Sequence, residues 1–176
     1  VPGMEINTSE EVHAVCLFPK LEAALCFDSY VYGKLIRFPN NEAIFGKQQI
    51  YNEQDQVCGT EPNLLINATE ISFDGLWELV RSYGGVMFPA HVDKTANSLI
   101  ANLGFIPPDS RFRTAEVKDL KKLHQLQKDN PYLDKCRIIS NSDAHYLEHM
   151  NEPELTLQVE EKTVQGIIDA LLDGAG

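Results

Sequence analysis

The sequence contains no long hydrophobic run, no paired cysteine motif and little positive charge. No apolar stretch approaches the roughly 20 residues that a helix needs to cross a bilayer. Residues 1–5, VPGME, have neither the basic start nor the apolar core of a signal peptide. The cysteines at positions 16, 26, 58 and 136 are scattered, and no C-x-x-C pair occurs. We therefore expect a cytoplasmic protein with reduced thiols and no membrane partner.

The net charge of the chain limits the classes of partner that it can bind. The chain has 15 basic and 26 acidic residues, which gives a net charge of −11. This excess of acid argues against extended binding of nucleic acid, because both partners would be negatively charged. Basic residues are also not interleaved with aromatic ones, as they are in single-strand binding proteins.

Length and composition favour a single domain. A chain of 176 residues with 43% hydrophobic content is long enough to bury a substantial core. We predict one domain over residues 1–176 with a turn-rich insertion around residues 38–70. Pro39, Gly46, Gly59 and Pro62 lie in that insertion, where turns and short extended pieces are expected.

Strand-like and helix-like patterns alternate along the rest of the chain. Buried strands are predicted at residues 11–18, 86–88, 112–117, 136–142 and 155–159. Helices are predicted at residues 20–32, 72–84, 95–103, 118–128 and 164–172. Such alternation is typical of an α/β fold with a parallel sheet and helices packed outside it.

Polar side chains follow or interrupt several of the predicted strands. Asp143 and His145 close the run at 136–142, and residues two apart in a strand point to the same face. Glu5, His13 and His91 lie in or just after other extended segments. The carboxyl ends of parallel strands meet at one rim, so we expect these five side chains to converge. One Glu, one Asp and three His form a ligand set that suits Zn²⁺, Mn²⁺ or Fe²⁺.

Each of these residues also has an ordinary structural interpretation. His13 alone is typical of a hydrogen-bonded core histidine, and His91 follows a proline that favours a structural turn. Glu5 alone is compatible with a solvated surface carboxylate. The metal-site prediction therefore depends on all of them meeting in space.

Four further residues are candidates for supporting roles, and two of them, Asp93 and Lys94, closely follow His91. Asp93 could accept a hydrogen bond from a ligand histidine, or it could lie at the start of a helix. Lys94, Arg111 and Arg113 are candidate phosphate contacts. Solvated basic residues that balance an acidic protein are the alternative interpretation of these three.

Three stretches of the chain resemble motifs of the PHP family, the polymerase and histidinol phosphatase superfamily of metal-dependent phosphoesterases. Residues 3–6 with residues 11–13 read GMEI and EVH, residues 84–94 read GGVMFPAHVDK, and residues 139–145 read ISNSDAH. Residues 64–69 (LLINAT) and 103–107 (LGFIP) also resemble bacterial members. The resemblance covers nearly the whole chain, and its three ordered motifs are more specific than any one of them.

The resemblance implies a fold, a metal centre and a reaction. The fold is a distorted (β/α)7 TIM-like barrel with two or three divalent ions, Zn, Mn or Fe, at its C-terminal rim. Glu5 corresponds to the carboxylate that bridges two ions, His13 and His91 to histidine ligands, and Asp143 and His145 to the closing pair. Glu5 and Asp143 are then the catalytic carboxylates. The implied activity is hydrolysis of a small phosphorylated metabolite or nucleotide by metal-activated water.

The chain departs from the family pattern at one point. PHP proteins open with a His-x-His motif, and this sequence contains none. The resemblance therefore implies a partial, N-terminally truncated barrel with weak or absent hydrolysis. Unpaired strand edges left by the missing part favour a homo-oligomer that covers the gap. A non-catalytic PHP remnant that serves as an interaction module and a nuclease-type PHP domain are the alternative functions.

Overall fold

A computed structural model of the chain describes residues 1–153 and 155–174. The strands of these residues are β1 (Gly3–Asn7), β2 (His13–Leu17), β3 (Gln49–Tyr51), β4 (Val57–Thr60), β5 (Val86–Pro89), β6 (Thr114–Glu116) and β7 (Arg137–Ile139). The α-helices are α1 (Leu21–Lys34), α2 (Glu42–Phe45), α3 (Phe73–Ser82), α4 (Leu99–Leu103), α5 (Leu123–Asp129) and α6 (Val164–Asp173). None of the helices in these ranges combines the length and the apolar character needed to cross a membrane.

The central sheet has the strand order β1-β2-β5, and both of its ladders are antiparallel. A short turn joins β1 to β2, with the backbone N–H of Thr8 bonded to the carbonyl of Val12 at 3.0 Å. Glu11 takes a left-handed φ of 57° in this turn. The chain therefore reverses direction directly after β1, which places β2 against it.

Two smaller sheets complete the strand arrangement. Strands β6 and β7 form a parallel pair, joined by a long connection that contains α5. Strands β3 and β4 form an antiparallel ribbon in the segment predicted to be turn-rich. Ile50 and Val57 of this ribbon are about half exposed.

Hydrophobic side chains pack on both faces of the central sheet. Cys16, Phe18 and Phe27 belong to a large cluster between the sheet and helices α1 and α3. On the other face, Val86 and Phe88 of β5 pack with buried side chains of α6. Residues alternate between the two faces along a strand, so β2 supplies both clusters.

Helix α3 illustrates how the sequence determines a local element. The Ser72 side chain accepts a hydrogen bond from the backbone N–H of Gly75 at 3.2 Å, which caps the helix start. Phe73, Leu76 and Val80 recur at helical spacing and are all buried. The helix predicted at residues 72–84 is therefore confirmed. The strands predicted at 11–18 and 86–88 and the helix predicted at 164–172 are confirmed as β2, β5 and α6, and β5 and α6 each extend one residue further.

The predicted fold class, a partial (β/α)7 TIM-like barrel built on a parallel sheet, is wrong for this structure. The described residues form small separate sheets with no closed barrel, and only the β6–β7 ladder is parallel. Parallel neighbours require a crossover of a dozen or more residues. The connection between β1 and β2 spans only residues 8–12, so these strands pair antiparallel. The inference of a parallel sheet from alternating strands and helices was wrong because it assumed a helix between consecutive strands.

Three predicted elements also differ in extent. Residues 155–159 do not form a strand, although Leu157 packs against the cluster that contains Val86 and Phe88. The apolar side chain of Leu157 is thus buried by packing, and the segment forms no β-ladder. The helix predicted at 95–103 begins only after Ser98, whose hydroxyl caps it. The helix predicted at 118–128 begins with a 3₁₀ turn.

Gly85, the residue before β5, lies very close to the end of β2. A Cβ atom at this position would lie 2.6 Å from the Leu17 carbonyl oxygen and 2.7 Å from the Phe18 ring. We expect Gly85→Ala to lower the free energy of unfolding by about 2 kcal/mol, because the backbone must shift. Gly33→Ala is the matched control, since a Cβ there meets no atom within 4 Å in helix α1. That change should raise stability slightly. Equal stabilities of the two variants in urea unfolding would contradict the predicted contact.

Candidate metal centre

Strands β1 and β2 bring Glu5 and His13 together. Glu5 is paired with Val15, and His13 is paired with Asn7, so the four residues share one face of the sheet. Glu5 Oε1 lies 2.8 Å from His13 Nδ1. The Glu5 side chain is 41% exposed, so this pair lies at the surface of the sheet and is accessible to solvent.

His91 approaches the same place from the end of β5. Its backbone has a positive φ of 30°, which is rare for a residue with a side chain. The residue is only 2% exposed, and its Nδ1 atom has no hydrogen-bond partner. Its ring centroid is 5.3 Å from that of His13. A buried imidazole nitrogen without a partner is costly unless another ligand occupies its lone pair.

Glu5, His13 and His91 form a group suited to one divalent cation. One potential ligand atom from each residue lies within 4.8 Å of the others. Two imidazoles and a carboxylate match the donor preferences of Zn²⁺, Mn²⁺ and Fe²⁺. The unpartnered nitrogen of His91 supports this fit. Two imidazoles with one carboxylate leave coordination positions for water or substrate.

The electrostatics of the group favour the protonation states that bind metal. The hydrogen bond and charge of His13 hold the pKa of the Glu5 carboxyl below its usual range, despite partial burial. Burial lowers the pKa of His91, and the nearby Lys94 charge lowers it further. Glu5 is therefore ionised, and His91 is a neutral imidazole at neutral pH.

The depressed pKa of His91 makes the stability of the metal-free protein depend on pH. In the unfolded chain a histidine binds a proton near pH 6.5, whereas folded His91 binds it only at lower pH. The unfolded state then holds more protons, so the unfolding free energy falls as pH drops below about 6.5. We expect wild type to lose more stability between pH 7.5 and 5.5 than His91→Gln does in urea titrations with chelator. His124→Gln, which changes an exposed histidine of α5, should keep the wild-type profile, and parallel profiles for all three proteins would contradict the prediction.

Asp143 lies near the three-residue group but is engaged by two lysines. Its carboxylate forms an ion pair with Lys94 and lies 3.7 Å from Lys118 Nζ. Burial alone raises the pKa of Asp143, but Lys94, with smaller contributions from His91 and Lys118, outweighs burial and lowers it. The Asp143 charge also affects the pKa of Glu5 and of His91. Asp143 is therefore an ionised neighbour of the candidate centre, although it is not a member of the tight group.

His145 is placed apart from the other predicted ligands. Strand β7 ends at Ile139, so Asp143 and His145 both lie in irregular chain beyond it. Asp143 takes a left-handed φ of 49°, which breaks the alternation expected for a strand. His145 is exposed and is absent from the tight group of donor atoms.

The remaining predicted site residues have different surroundings. Asp93 accepts hydrogen bonds from the backbone N–H groups of Lys118 and Asp119, at 2.7 and 2.9 Å. Its carboxylate therefore shapes the loop after β6 rather than orienting a histidine. Arg111 forms an ion pair with Glu78 of α3. Arg113 precedes β6 and lies at the opposite end of that strand from Glu116.

Glu116 is a site residue that the sequence analysis missed. This β6 residue is 5% exposed, and its Oε2 atom accepts a hydrogen bond from the backbone N–H of His91 at 3.2 Å. Its Oε1 atom accepts one from the Asn141 side chain at 3.0 Å. Burial raises the pKa of Glu116 above its usual range, against the effect of both hydrogen bonds. A signal was present, because Glu116 is a carboxylate between the apolar residues Ala115 and Val117 of a predicted strand.

Comparison with known proteins gives one structural likeness. The structure is similar to a crystal structure of the lesion-specific endonuclease PfuEndoQ from Pyrococcus furiosus, with a TM-score of 0.56 and 16% sequence identity. The match covers 99% of this chain and 39% of the endonuclease chain. The chain therefore shares a fold with part of an enzyme whose name denotes cleavage of phosphodiester bonds. No protein-family model and no curated protein sequence matches the chain.

Proposed function

We propose that this protein is a metal-dependent phosphoester hydrolase of the PHP type. The observation that carries the proposal is the convergence of Glu5, His13 and His91, whose ligand atoms lie within 4.8 Å of one another. The fold shared with a phosphodiester-cleaving enzyme supports it independently. The centre would hold a divalent ion such as Zn²⁺, Mn²⁺ or Fe²⁺, through one carboxylate and two imidazoles.

The residues around the candidate centre would have two main roles, as metal ligands and as phosphate contacts. Glu5, His13 and His91 would hold the ion, which when bound activates water and offsets charge on phosphate oxygens. Lys94 and Lys118 lie beside the centre at Asp143, and their ammonium groups would contact a bound phosphate. Asp143 holds both lysines in place through its own negative charge. Glu116 fixes the backbone of His91 through the hydrogen bond that it accepts from the His91 N–H.

A small phosphorylated metabolite or nucleotide is the substrate class that the charge balance favours. The net charge of −11 opposes the approach of a long polyanion, whereas a small phosphate ester needs only the local lysines. Nuclease action is the second candidate, because the structural neighbour is an endonuclease. An interaction module without catalysis is the third.

Metal content and hydrolysis together test the proposal. Purified protein dialysed against Mn²⁺ or Zn²⁺ should retain about one ion per chain, as one three-ligand group implies. It should hydrolyse 4-nitrophenyl phosphate weakly, in a reaction that a chelator stops and added metal restores. Cleavage of a single-stranded or base-damaged oligonucleotide without hydrolysis of the small ester would favour the nuclease. Protein that binds no transition metal and cleaves neither substrate would refute the proposal and favour the interaction module.

A further inference from the structure

A cleft opens on the sheet face that carries Glu5 and His13. It has a volume of about 370 Å³ and lies between the central sheet, β7 and α6. Its walls are mainly apolar and include Val15, Leu17, Phe88, Ile139, Leu157 and Leu171, and Arg137 and Thr156 add polar groups. This volume falls within the roughly 300–1,000 Å³ of small-molecule sites.

A second, polar cavity of about 220 Å³ adjoins the cleft. Ser140, Asn141 and Leu155 line both cavities, and Ser142 lines the polar one. Ser142 directly precedes Asp143, and Asn141 donates a hydrogen bond to Glu116. The polar cavity is therefore lined by residues that directly precede Asp143 or are bonded to Glu116.

The strand register connects the apolar walls to the metal ligands. Val15 is paired with Glu5 on one side and with Phe88 on the other, so the three side chains form a row on one face. His13 lies two residues from Val15 on the same face, about 7 Å along the strand. Val15, a wall residue of the cleft, is thus the cross-strand neighbour of Glu5 and the next same-face residue after His13.

We propose that this cleft binds the apolar substituent of a phosphate ester whose phosphate lies at the candidate metal centre. The proposal rests on the function proposed above and specifies its substrate class. An alkyl chain or apolar ring would bury surface against Val15, Leu157 and Leu171. Phe88 offers a single ring, so the walls lack the paired aromatic faces that typically hold a nucleobase.

A series of alkyl phosphates tests the proposal in the metal-loaded protein. Each added methylene between methyl and pentyl phosphate should raise kcat/KM by about fourfold, because it is removed from water in the cleft. Leu157→Ser should reduce the ratio of pentyl to methyl phosphate turnover. Leu147→Ser is the matched control, since Leu147 is 86% exposed and lines neither cavity, and it should keep the wild-type ratio. A flat or falling series in wild type would overturn the proposal.

A binding experiment on the metal-free protein separates this proposal from the proposed function. Pentylphosphonate, which is not hydrolysed, should shift the methyl NMR signals of Val15, Leu157 and Leu171, whereas methylphosphonate should not. Those shifts without any metal binding would support the cleft and refute the hydrolase. Metal-dependent hydrolysis with no chain-length effect and no shifts would support the hydrolase and refute the cleft.

Discussion

Replacing Glu5 by Gln is expected to lower the affinity of the protein for Mn²⁺ or Zn²⁺ by about 100-fold or more. The substitution removes the only carboxylate of the three-ligand group and keeps its size. Even residues that contact ligands without touching the metal are worth about 10–100-fold in affinity. A direct ligand that carries the negative charge should matter at least as much. Titration calorimetry on chelator-treated protein measures this change directly.

The design of this experiment separates metal binding from folding. Glu5 is 41% exposed, and the glutamine oxygen can still accept the hydrogen bond from His13, so the metal-free variant should unfold like wild type. Wild type should gain about 2.7 kcal/mol of stability when free metal is 100 times its Kd, and the variant should gain almost none. Glu53→Gln, in the turn between β3 and β4, makes the same chemical change away from the site and should behave as wild type. Wild-type affinity in Glu5→Gln would exclude Glu5 as a ligand.

The second large effect is expected at Glu116. Replacing it by Ala should lower the unfolding free energy by about 2 kcal/mol, because the buried N–H of His91 loses its acceptor. The same change should weaken metal binding by about 30-fold, within the range for partners that orient ligands. Both effects arise because Glu116 holds His91 in a backbone conformation with a positive φ.

Replacing Glu116 by Gln tests whether Glu116 orients His91 or only contributes to packing. Glu116→Gln keeps the volume but offers one acceptor oxygen to two donors, so it should rescue stability more than metal affinity. Chemical unfolding and calorimetric titration of both variants report the two quantities separately. If Glu116→Ala unfolds as easily as expected but binds metal like wild type, the residue supports the core and does not orient His91.

Local patterns predicted the elements of this protein better than their assembly. The capped helix α3 and the buried strands β2 and β5 follow from periodicity and capping residues alone. Strand direction depended on the turn at residues 8–12, where a left-handed Glu11 reverses the chain. That backbone conformation has no clear sequence signal, because the residue is not a glycine, and the sheet was therefore predicted with the wrong topology.

The candidate site shows the same division between what could and could not be predicted. Glu5, His13 and His91 were proposed from residue type and position at strand ends, and the structure brings them together. The proximity of Asp143 to Lys94 and Lys118 depends on side chains from three separate loops, which sequence spacing does not determine. Glu116 was missed because an acidic residue in a short apolar segment was assigned to no role.

The position of β1 within its sheet has a consequence for how the ion would be held. Within residues 1–153 and 155–174, β1 has a ladder partner on one side only. Strands with a single neighbour open locally at lower free energy than central ones, as amide hydrogen exchange detects. Glu5 would thus detach from the cation during brief fraying of β1, while His13 stays on the central strand β2 and His91 stays bonded through its N–H to Glu116. Metal exchange in this protein should consequently proceed by fluctuations of β1, without global unfolding.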